Sequence, residues 1–107
     1  TMDKRKTLLK KLRSFRKKVN GDFPVRKLYL FGSYAAGKPH SESDVDLIIV
    51  SPKFQALDFI QRGARMYHYR NFDYPADFLC YTPEEFERKK KTVTIIRQAV
   101  KEGIEIK

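Results

Sequence analysis

The sequence predicts an α/β or α+β domain in which helices flank a small mixed β-sheet. Three observations predict this class: apolar residues recur at helical spacing near the N-terminus, three short runs rich in β-forming residues follow, and helical patterns lie before and after the last of these runs. The predicted order of elements is α-β-β-α-β-α. At 107 residues the chain is expected to form one domain, and with Met2 taken as the natural start that domain spans residues 2–107.

The first helix is predicted over residues 4–18. Asn20-Gly21 and Pro24 follow it and are expected to end it. Apolar residues in and just after this segment are spaced by four, three and four positions, so they share one face of a helix while Lys and Arg occupy the others. These apolar residues are Leu8, Leu12, Phe15 and Val19.

Three strands are predicted, over residues 25–31 (VRKLYLF), 44–50 (DVDLIIV) and 76–81 (ADFLCY). Each is short, rich in β-forming residues and bounded by turn residues. The unbroken apolar end of the second run is typical of a central strand covered on both faces. The only cysteine, Cys80, lies in the third run, which excludes an internal disulfide and favours a buried thiol in a reducing compartment.

Two more helices are predicted around the third strand. Ser51-Pro52 is expected to open one over about residues 54–68, and the other is expected to begin at the N-cap Thr82 and end at Gly103. The second has a proline at its first helical position and two glutamates in its first turn, which favour a helix start. The predicted buried side of the first carries Leu57, Ile60, Ala64 and Tyr67.

Most of the net charge of +10 lies at one end of the chain. Residues 1–27 hold eleven Lys and Arg against two Asp. Such a patch could attract nucleic acid, an acidic protein or nucleotide phosphates, although no aromatic residues interleave with it as a stacking surface requires. A solvated helix face is the simpler interpretation. No apolar run is long enough for a membrane span and no signal peptide is recognisable, so a cytoplasmic protein without a membrane partner is expected.

The segment between the first two strands carries the functional signal. Gly32-Ser33 follows the first strand, and Asp44 and Asp46 come after ten further residues. Two positions apart on a strand, both carboxylates leave the same face, and they repel each other unless a cation lies between them. Mg²⁺ is suited to such a pair, since it takes one or two carboxylates and completes its shell with water and substrate phosphates.

Gly32 and Ser33 supply the complementary, anion-binding part. Glycine permits a sharp bend and a close approach of backbone to a ligand, and a serine where a turn starts offers a hydroxyl and an amide to a phosphate. Either feature alone is common: a Gly-Ser turn carries no meaning, and Asp-x-Asp could cap a strand or bind a stray cation. Their combination at this spacing indicates a metal-bound nucleoside triphosphate.

The segment FGSYAAGKPHSESDVDLIIV, residues 31–50, resembles the signature of the polymerase-β-like nucleotidyltransferases, and the chain's length is similar to that of their minimal nucleotidyltransferase (MNT) members. The likeness extends through YPADFLCYTPEEFE, residues 74–87. The resemblance implies a mixed sheet flanked by helices. It also implies transfer of a nucleoside monophosphate from a triphosphate to an acceptor hydroxyl, with release of pyrophosphate.

The resemblance also implies a role for each motif residue. Gly32 and Ser33 would hold the terminal phosphates. Two Mg²⁺ ions would bind, one bridged by Asp44 and Asp46 and the other shared with Asp77, which could also accept the proton of the acceptor hydroxyl.

The third carboxylate has an alternative. Asp73, in NFDYP, is the rival of Asp77, which is favoured because Asp73 lies before a proline in a predicted turn. Many relatives carry Arg where this chain has Ala36, and Lys38 is the candidate replacement. Lys38 and Ser43 are therefore assigned to nucleotide binding together with Gly32 and Ser33.

The length of the chain leaves no residues for an acceptor-binding domain, so a partner is expected, either a second copy or another protein. MNT proteins of this kind resemble the antitoxins of HEPN/MNT toxin–antitoxin pairs, which implies a small helical HEPN-type partner and transfer of AMP from ATP to a hydroxyl of that partner. Two alternatives stay open: a non-catalytic antitoxin that acts by occlusion, and a nucleic-acid-binding module that uses the basic first helix.

Overall fold

The computed structural model describes residues 4–37 and 44–107 and forms helices on both faces of one sheet. None of the helices in these two ranges combines the length and apolar content that a membrane span requires. The elements in chain order are α1 (Lys4–Asp22), β1 (Lys27–Phe31), β2 (Val45–Val50), a short 3₁₀ helix (Pro52–Ala56), α2 (Phe59–Tyr67), β3 (Ala76–Tyr81), α3 (Pro83–Thr92), α4 (Thr94–Glu102) and β4 (Ile104–Glu105).

The sheet has four strands in the order β3-β2-β1-β4. Strand β2 is antiparallel to β1 and parallel to β3, so the mixed sheet and the central position of β2 are both confirmed. Strand β4 pairs antiparallel with β1, with Tyr29 opposite Glu105. This two-residue strand is not among the predicted elements, since so short a segment has no alternation to detect.

The two faces of the sheet carry two separate apolar clusters. Alternate residues of β2 point to opposite faces, so Leu47 and Ile49 belong to the larger cluster while Ile48 and Val50 belong to the smaller. We call these the α1 face and the α4 face. The α1 face is covered by the predicted stripe of Leu8, Leu12, Phe15 and Val19, all of which are buried. The α4 face packs against Phe86, Ile96 and Ala99 from α3 and α4.

Helix α1 is longer than predicted. It runs through Asn20 and Gly21 to Asp22 rather than ending before them. The side-chain oxygen of Asn20 accepts a hydrogen bond from the backbone N–H of Val25 at 2.9 Å, so Asn20 stabilises the exit from the helix from inside its last turn. Turn-forming residues therefore lie within the last turn instead of after it.

The segment after β2 differs from the prediction in two respects. Ser51-Pro52 opens only a 3₁₀ turn, and α2 begins at Phe59 with Asp58 as its N-cap in a capping box with Gln61. The predicted buried side of the helix is also wrong. Ile60 is 82% exposed and Tyr67 43% exposed, whereas Arg62 and Met66 are buried.

The buried guanidinium of Arg62 explains this rotation of α2. Its Nε donates to the carbonyl oxygens of Phe54 and Leu57 at 2.8 and 2.9 Å, and its Nη1 donates to the carbonyl of Cys80 at 3.1 Å and to Oε1 of Glu85 at 2.7 Å. Burial acts to raise the pKa of Glu85, but the hydrogen bond from Arg62 and that from the Thr82 backbone outweigh it and hold this pKa below its usual value. A count of apolar spacing cannot find a face that is fixed by a charged residue.

The predicted last helix is two helices. The chain leaves helical geometry at Val93, with φ −114° and ψ 114°, between α3 and α4. Five β-branched residues in a row, Thr92 to Ile96, account for the break, because such residues are restricted in χ1 within a helix. On β3 the predicted buried thiol is confirmed: Cys80 is fully buried, and burial raises its pKa to about 12.

Candidate active site

The structure brings two of the predicted acidic residues side by side. Asp46 of β2 is in register with Asp77 of β3, and register partners on adjacent strands lie about 5 Å apart. Both belong to the α4 face and line one cleft of about 610 Å³ between the sheet, the turn after β1 and α4. The two carboxylates therefore reach the same space.

The pKa of Asp46 reflects this crowding. Partial burial is the larger cause and the neighbouring carboxylates of Asp77 and Asp44 add to it, and together they raise this pKa to about 6. Asp44 lies immediately before β2, is exposed, and is not part of the cleft lining. The predicted triad is thus a pair in the cleft with a third carboxylate near enough to act on Asp46 through its charge.

Gly32 brings the turn after β1 against the pair. Its φ is +76°, a conformation that side-chain-bearing residues rarely adopt, and a Cβ added there would overlap the carboxylate of Asp46. Only glycine lets the backbone lie this close to the acid. The contact joins the predicted phosphate-binding turn to the predicted metal ligand.

The turn itself is fixed by three hydrogen bonds. Ala36 N–H donates to the Gly32 carbonyl at 3.1 Å and Gly37 N–H to the Tyr34 carbonyl at 3.3 Å. From α1, Nη1 of Arg5 donates to the Ala35 carbonyl at 3.0 Å. Helix α1 therefore holds the far side of the turn that presents Gly32 to the cleft.

The comparisons with known proteins agree with this geometry. The profile of the nucleotidyltransferase domain family matches residues 10–106. The chain belongs to this family. The resemblance seen in the sequence is therefore confirmed at the level of the family, and nucleotidyl transfer is the class of function that the family supports.

One solved structure supports the fold of this nucleotidyltransferase domain, and a second similar structure was found. A crystal structure of a candidate nucleotidyltransferase from Sulfolobus solfataricus matches with a TM-score of 0.64 at 20% identity, over 94% of this chain and 80% of that one. A second crystal structure of a candidate nucleotidyltransferase matches at 27% identity and a TM-score of 0.48, over 78% of this chain and 88% of that one. The comparison with curated proteins gave no match.

Not all the predicted site residues line the cleft of the nucleotidyltransferase domain. Ser33 is half-buried in the turn next to Gly32 but is absent from the lining. Asp73 is exposed in the segment before β3 and lies outside the lining, whereas Asp77 is within it. Lys38 and Ser43 lie outside the described residues, so their assignment stays a prediction.

The donor set of the domain fits Mg²⁺ bound together with a substrate. Asp46 and Asp77 offer hard oxygen ligands of the kind and number that this ion takes from proteins. Within residues 4–37 and 44–107, however, no three His, Cys, Asp or Glu side chains are grouped so that they alone could hold a metal ion. The remaining ligands would have to come from water and phosphate oxygens.

The second wall of the cleft was not predicted from the sequence. Helix α4 contributes it, with Ile95, Gln98 and Glu102 in the lining, and Lys89 of α3 lies at one end. The wall depends on the turn at Val93, which sets α4 at an angle to α3. The run of β-branched residues around Val93 is the feature of the sequence that could have predicted this turn.

Proposed function

We propose that this domain uses Mg²⁺ to transfer AMP from ATP to a hydroxyl group of a partner protein, releasing pyrophosphate. One observation carries the proposal: Gly32, Asp46 and Asp77 line a single open cleft, with the glycine backbone against the carboxylate of Asp46. That arrangement places anion-binding backbone beside cation-binding oxygens, which is what a metal-bound triphosphate requires.

In the proposed reaction the acceptor oxygen attacks the α-phosphorus of ATP. The new P–O bond forms as the bond between the α-phosphorus and the oxygen bridging to the β-phosphate breaks, and pyrophosphate leaves. Asp77 takes the proton of the acceptor hydroxyl. Asp46 and Asp77 would hold the Mg²⁺ ions, with Asp44 contributing from just before β2, and the ions when bound would neutralise phosphate charge and lower the pKa of the hydroxyl.

The carboxylates also couple the binding of Mg²⁺ to the binding of ATP. Their mutual repulsion, which adds to the effect of burial in raising the pKa of Asp46, is relieved by a cation. Two carboxylates alone leave most of the Mg²⁺ shell to other ligands, and the triphosphate supplies them. Mg²⁺ and ATP should therefore bind cooperatively.

A partner protein is proposed on two grounds. The resemblance to HEPN/MNT antitoxins suggests a small helical HEPN-type protein as the acceptor. In addition, Phe59, Ile60 and Tyr67 of α2 leave large apolar side chains exposed, which is typical of a surface that contacts another protein. In that setting the domain acts as an antitoxin that modifies its partner.

The test combines binding and transfer. Mg²⁺ and ATP together should raise the melting temperature by more than the sum of their separate effects. With α-labelled ATP and a HEPN-type partner, label should enter the partner, and Asp46→Asn or Asp77→Asn should reduce transfer by about 10²–10³-fold. Asp73→Asn is the matched control, because Asp73 is exposed and outside the cleft.

Two outcomes would contradict the proposal. Transfer that survives Asp46→Asn and Asp77→Asn would remove the carboxylates from the chemistry. A partner that is neutralised equally well by wild type and by both variants, without incorporation of label, would instead identify the domain as an antitoxin that acts by occlusion.

A further inference from the structure

The cleft extends well beyond the carboxylates. From Asp77 its floor follows β3 through Leu79 to Tyr81, a rise of about 13 Å at the spacing of residues in a strand. The opposite wall is formed by Ile95, Ile96 and Ala99 of α4. The part of the cleft along Leu79 and Tyr81 therefore lies beyond the carboxylates and has room for another part of the ligand.

The α4 wall is apolar where it meets solvent. Ile95 is 57% exposed although its neighbour Ile96 is only 1% exposed. The two belong to one helix, but Ile96 enters the core of the α4 face whereas Ile95 projects into the cleft. An exposed β-branched side chain has few rotamers, so it gives a ligand a rigid apolar surface at little cost in entropy.

Three polar side chains of the two helices line the cleft, Lys89 of α3 and Gln98 and Glu102 of α4. Gln98, one turn from Ile95, lines the same space, and its amide can both donate and accept hydrogen bonds. A pocket of about 610 Å³ with apolar walls and a few fixed polar groups is typical of a small-molecule site. The matching ligand is flat and apolar on its faces, with donors and acceptors at its edge.

A nucleobase has this chemistry, and the cleft connects it to the acidic end. We propose that the α4 wall, through Ile95 and Gln98, binds the base of the nucleoside triphosphate over Leu79 of the floor while the phosphates lie at Asp46 and Asp77. This rests on the proposed function and adds the part of the site that recognises the base. A two-ring purine would cover more of the wall than a pyrimidine would.

The experiment compares two ligands that share phosphates and differ in the base. Binding of ATP and of inorganic tripolyphosphate, each with Mg²⁺, is measured by calorimetry for wild type, Ile95→Ala and Gln98→Ala. Wild type should bind ATP more tightly than tripolyphosphate. Ile95→Ala should weaken the affinity for ATP about tenfold, as expected for the loss of apolar contact, and leave the affinity for tripolyphosphate unchanged.

Ile60→Ala is the matched control, since Ile60 is also an exposed isoleucine on a helix, 82% exposed against 57% for Ile95, but lies outside the cleft. It should alter neither affinity. Gln98→Ala should weaken the affinity for ATP but not that for tripolyphosphate. An unchanged melting temperature for each variant shows that the fold is retained.

The outcomes separate this inference from the function on which it rests. If wild type binds tripolyphosphate and ATP equally, or if Ile95→Ala weakens both alike, the base does not lie on the α4 wall although the phosphate site stands. If Ile95→Ala leaves ATP affinity unchanged but lowers transfer to the partner, the wall serves the acceptor and the inference is overturned. If wild type binds neither ligand, the proposed function itself fails.

Discussion

The two faces of the sheet are built from the same strands but differ in role: one is a packed core and the other carries the cleft. On the α1 face, every side chain that β2 contributes is buried beneath an aromatic and aliphatic cluster, in which Phe15 stacks on Phe78 with ring centroids 5.9 Å apart. On the α4 face, Ile48 and Val50 are covered, but Asp46, at the start of the same strand, is not. A shift of one residue along β2 thus separates a core position from a cleft position.

The difference arises from the extent of the helical cover. Helix α1 spans 19 residues, whereas α4 spans nine and follows a turn. The shorter cover leaves the end of the α4 face open, and the acidic residues are found there, where ionised carboxylates keep access to water. The alternation of side chains along β2 therefore decides which residues belong to the cleft and which to the core. Substitutions at adjacent positions of β2 test this.

The largest expected effect comes from Leu47→Ala on the α1 face. Leu47 is fully buried, and the cavity should cost about 2–5 kcal/mol of the free energy of unfolding. Asp46→Asn, one residue earlier but in the cleft, should cost nothing in stability. Urea denaturation of the two variants measures the contrast, and equal losses would show that the α4 face is as tightly packed as the α1 face.

A smaller effect is expected where the turn meets the cleft. Gly32→Ala should lower stability by at least about 1–2 kcal/mol, because an alanine is strained at φ +76° and its Cβ would overlap the Asp46 carboxylate. It should also abolish the stabilisation by Mg²⁺ and ATP together. Thermal melts with and without these ligands measure both effects.

Gly21→Ala provides the control for this glycine. Gly21 lies in the last turn of α1, and a Cβ there would meet nothing within 4 Å, so the substitution should raise stability by about 0.4–1 kcal/mol. Ligand stabilisation should stay as in wild type. A Gly32→Ala protein with normal ligand response would show that backbone contact with Asp46 is dispensable.

The smallest expected effect is a pH dependence. The pKa of Asp46 is about 6 in the folded protein, against an ordinary value of 3.8, so ionisation of this carboxylate opposes folding. The penalty is absent below pH 3.8, grows as pH rises towards 6 and is then complete. In EDTA, the melting temperature of Asp46→Asn should therefore exceed that of wild type by a margin that widens from pH 4 to about 6.5 and is constant above it.

Addition of Mg²⁺ and ATP at pH 7.5 should reverse this margin, because the bound cation relieves the repulsion only in wild type. A margin that does not vary with pH would mean that burial and the neighbouring carboxylates do not raise the pKa of Asp46.

The sequence predicted what depends on local pattern. The stripe of α1, the central position of β2 and the juxtaposition of Gly32 with the acidic strand all follow from spacing along the chain. The signal was strongest where spacing and chemistry coincided, at the Gly-Ser turn and the Asp-x-Asp strand. Whether Asp77 or Asp73 joins them depends on strand register, and the structure resolves their positions by placing Asp77 opposite Asp46.

The remaining features depend on contacts that the pattern does not encode. Ile60, Ala64 and Tyr67 have the spacing of a buried stripe, yet the hydrogen bonds of Arg62 turn that stripe outwards. The basic N-terminal segment similarly contains structural residues: Arg5 bonds the Ala35 carbonyl and Arg16 the Val25 carbonyl, at 3.0 and 3.1 Å. Part of what reads as a charged patch thus serves the fold.

The position of α2 has a consequence for association. Strand β3 is an edge strand, and two of its outward carbonyls accept hydrogen bonds from α2: Tyr67 donates to Ala76 and Arg62 donates to Cys80. Between them, a Cβ added at Gly63 of α2 would lie 3.9 Å from the carbonyl oxygen of Phe78, so α2 also covers this group. The opposite edge is a strand of only two residues. Among residues 4–37 and 44–107, neither edge of the sheet therefore offers a long free row of backbone groups for strand addition. A protein that docks here is expected to contact side chains rather than extend the sheet.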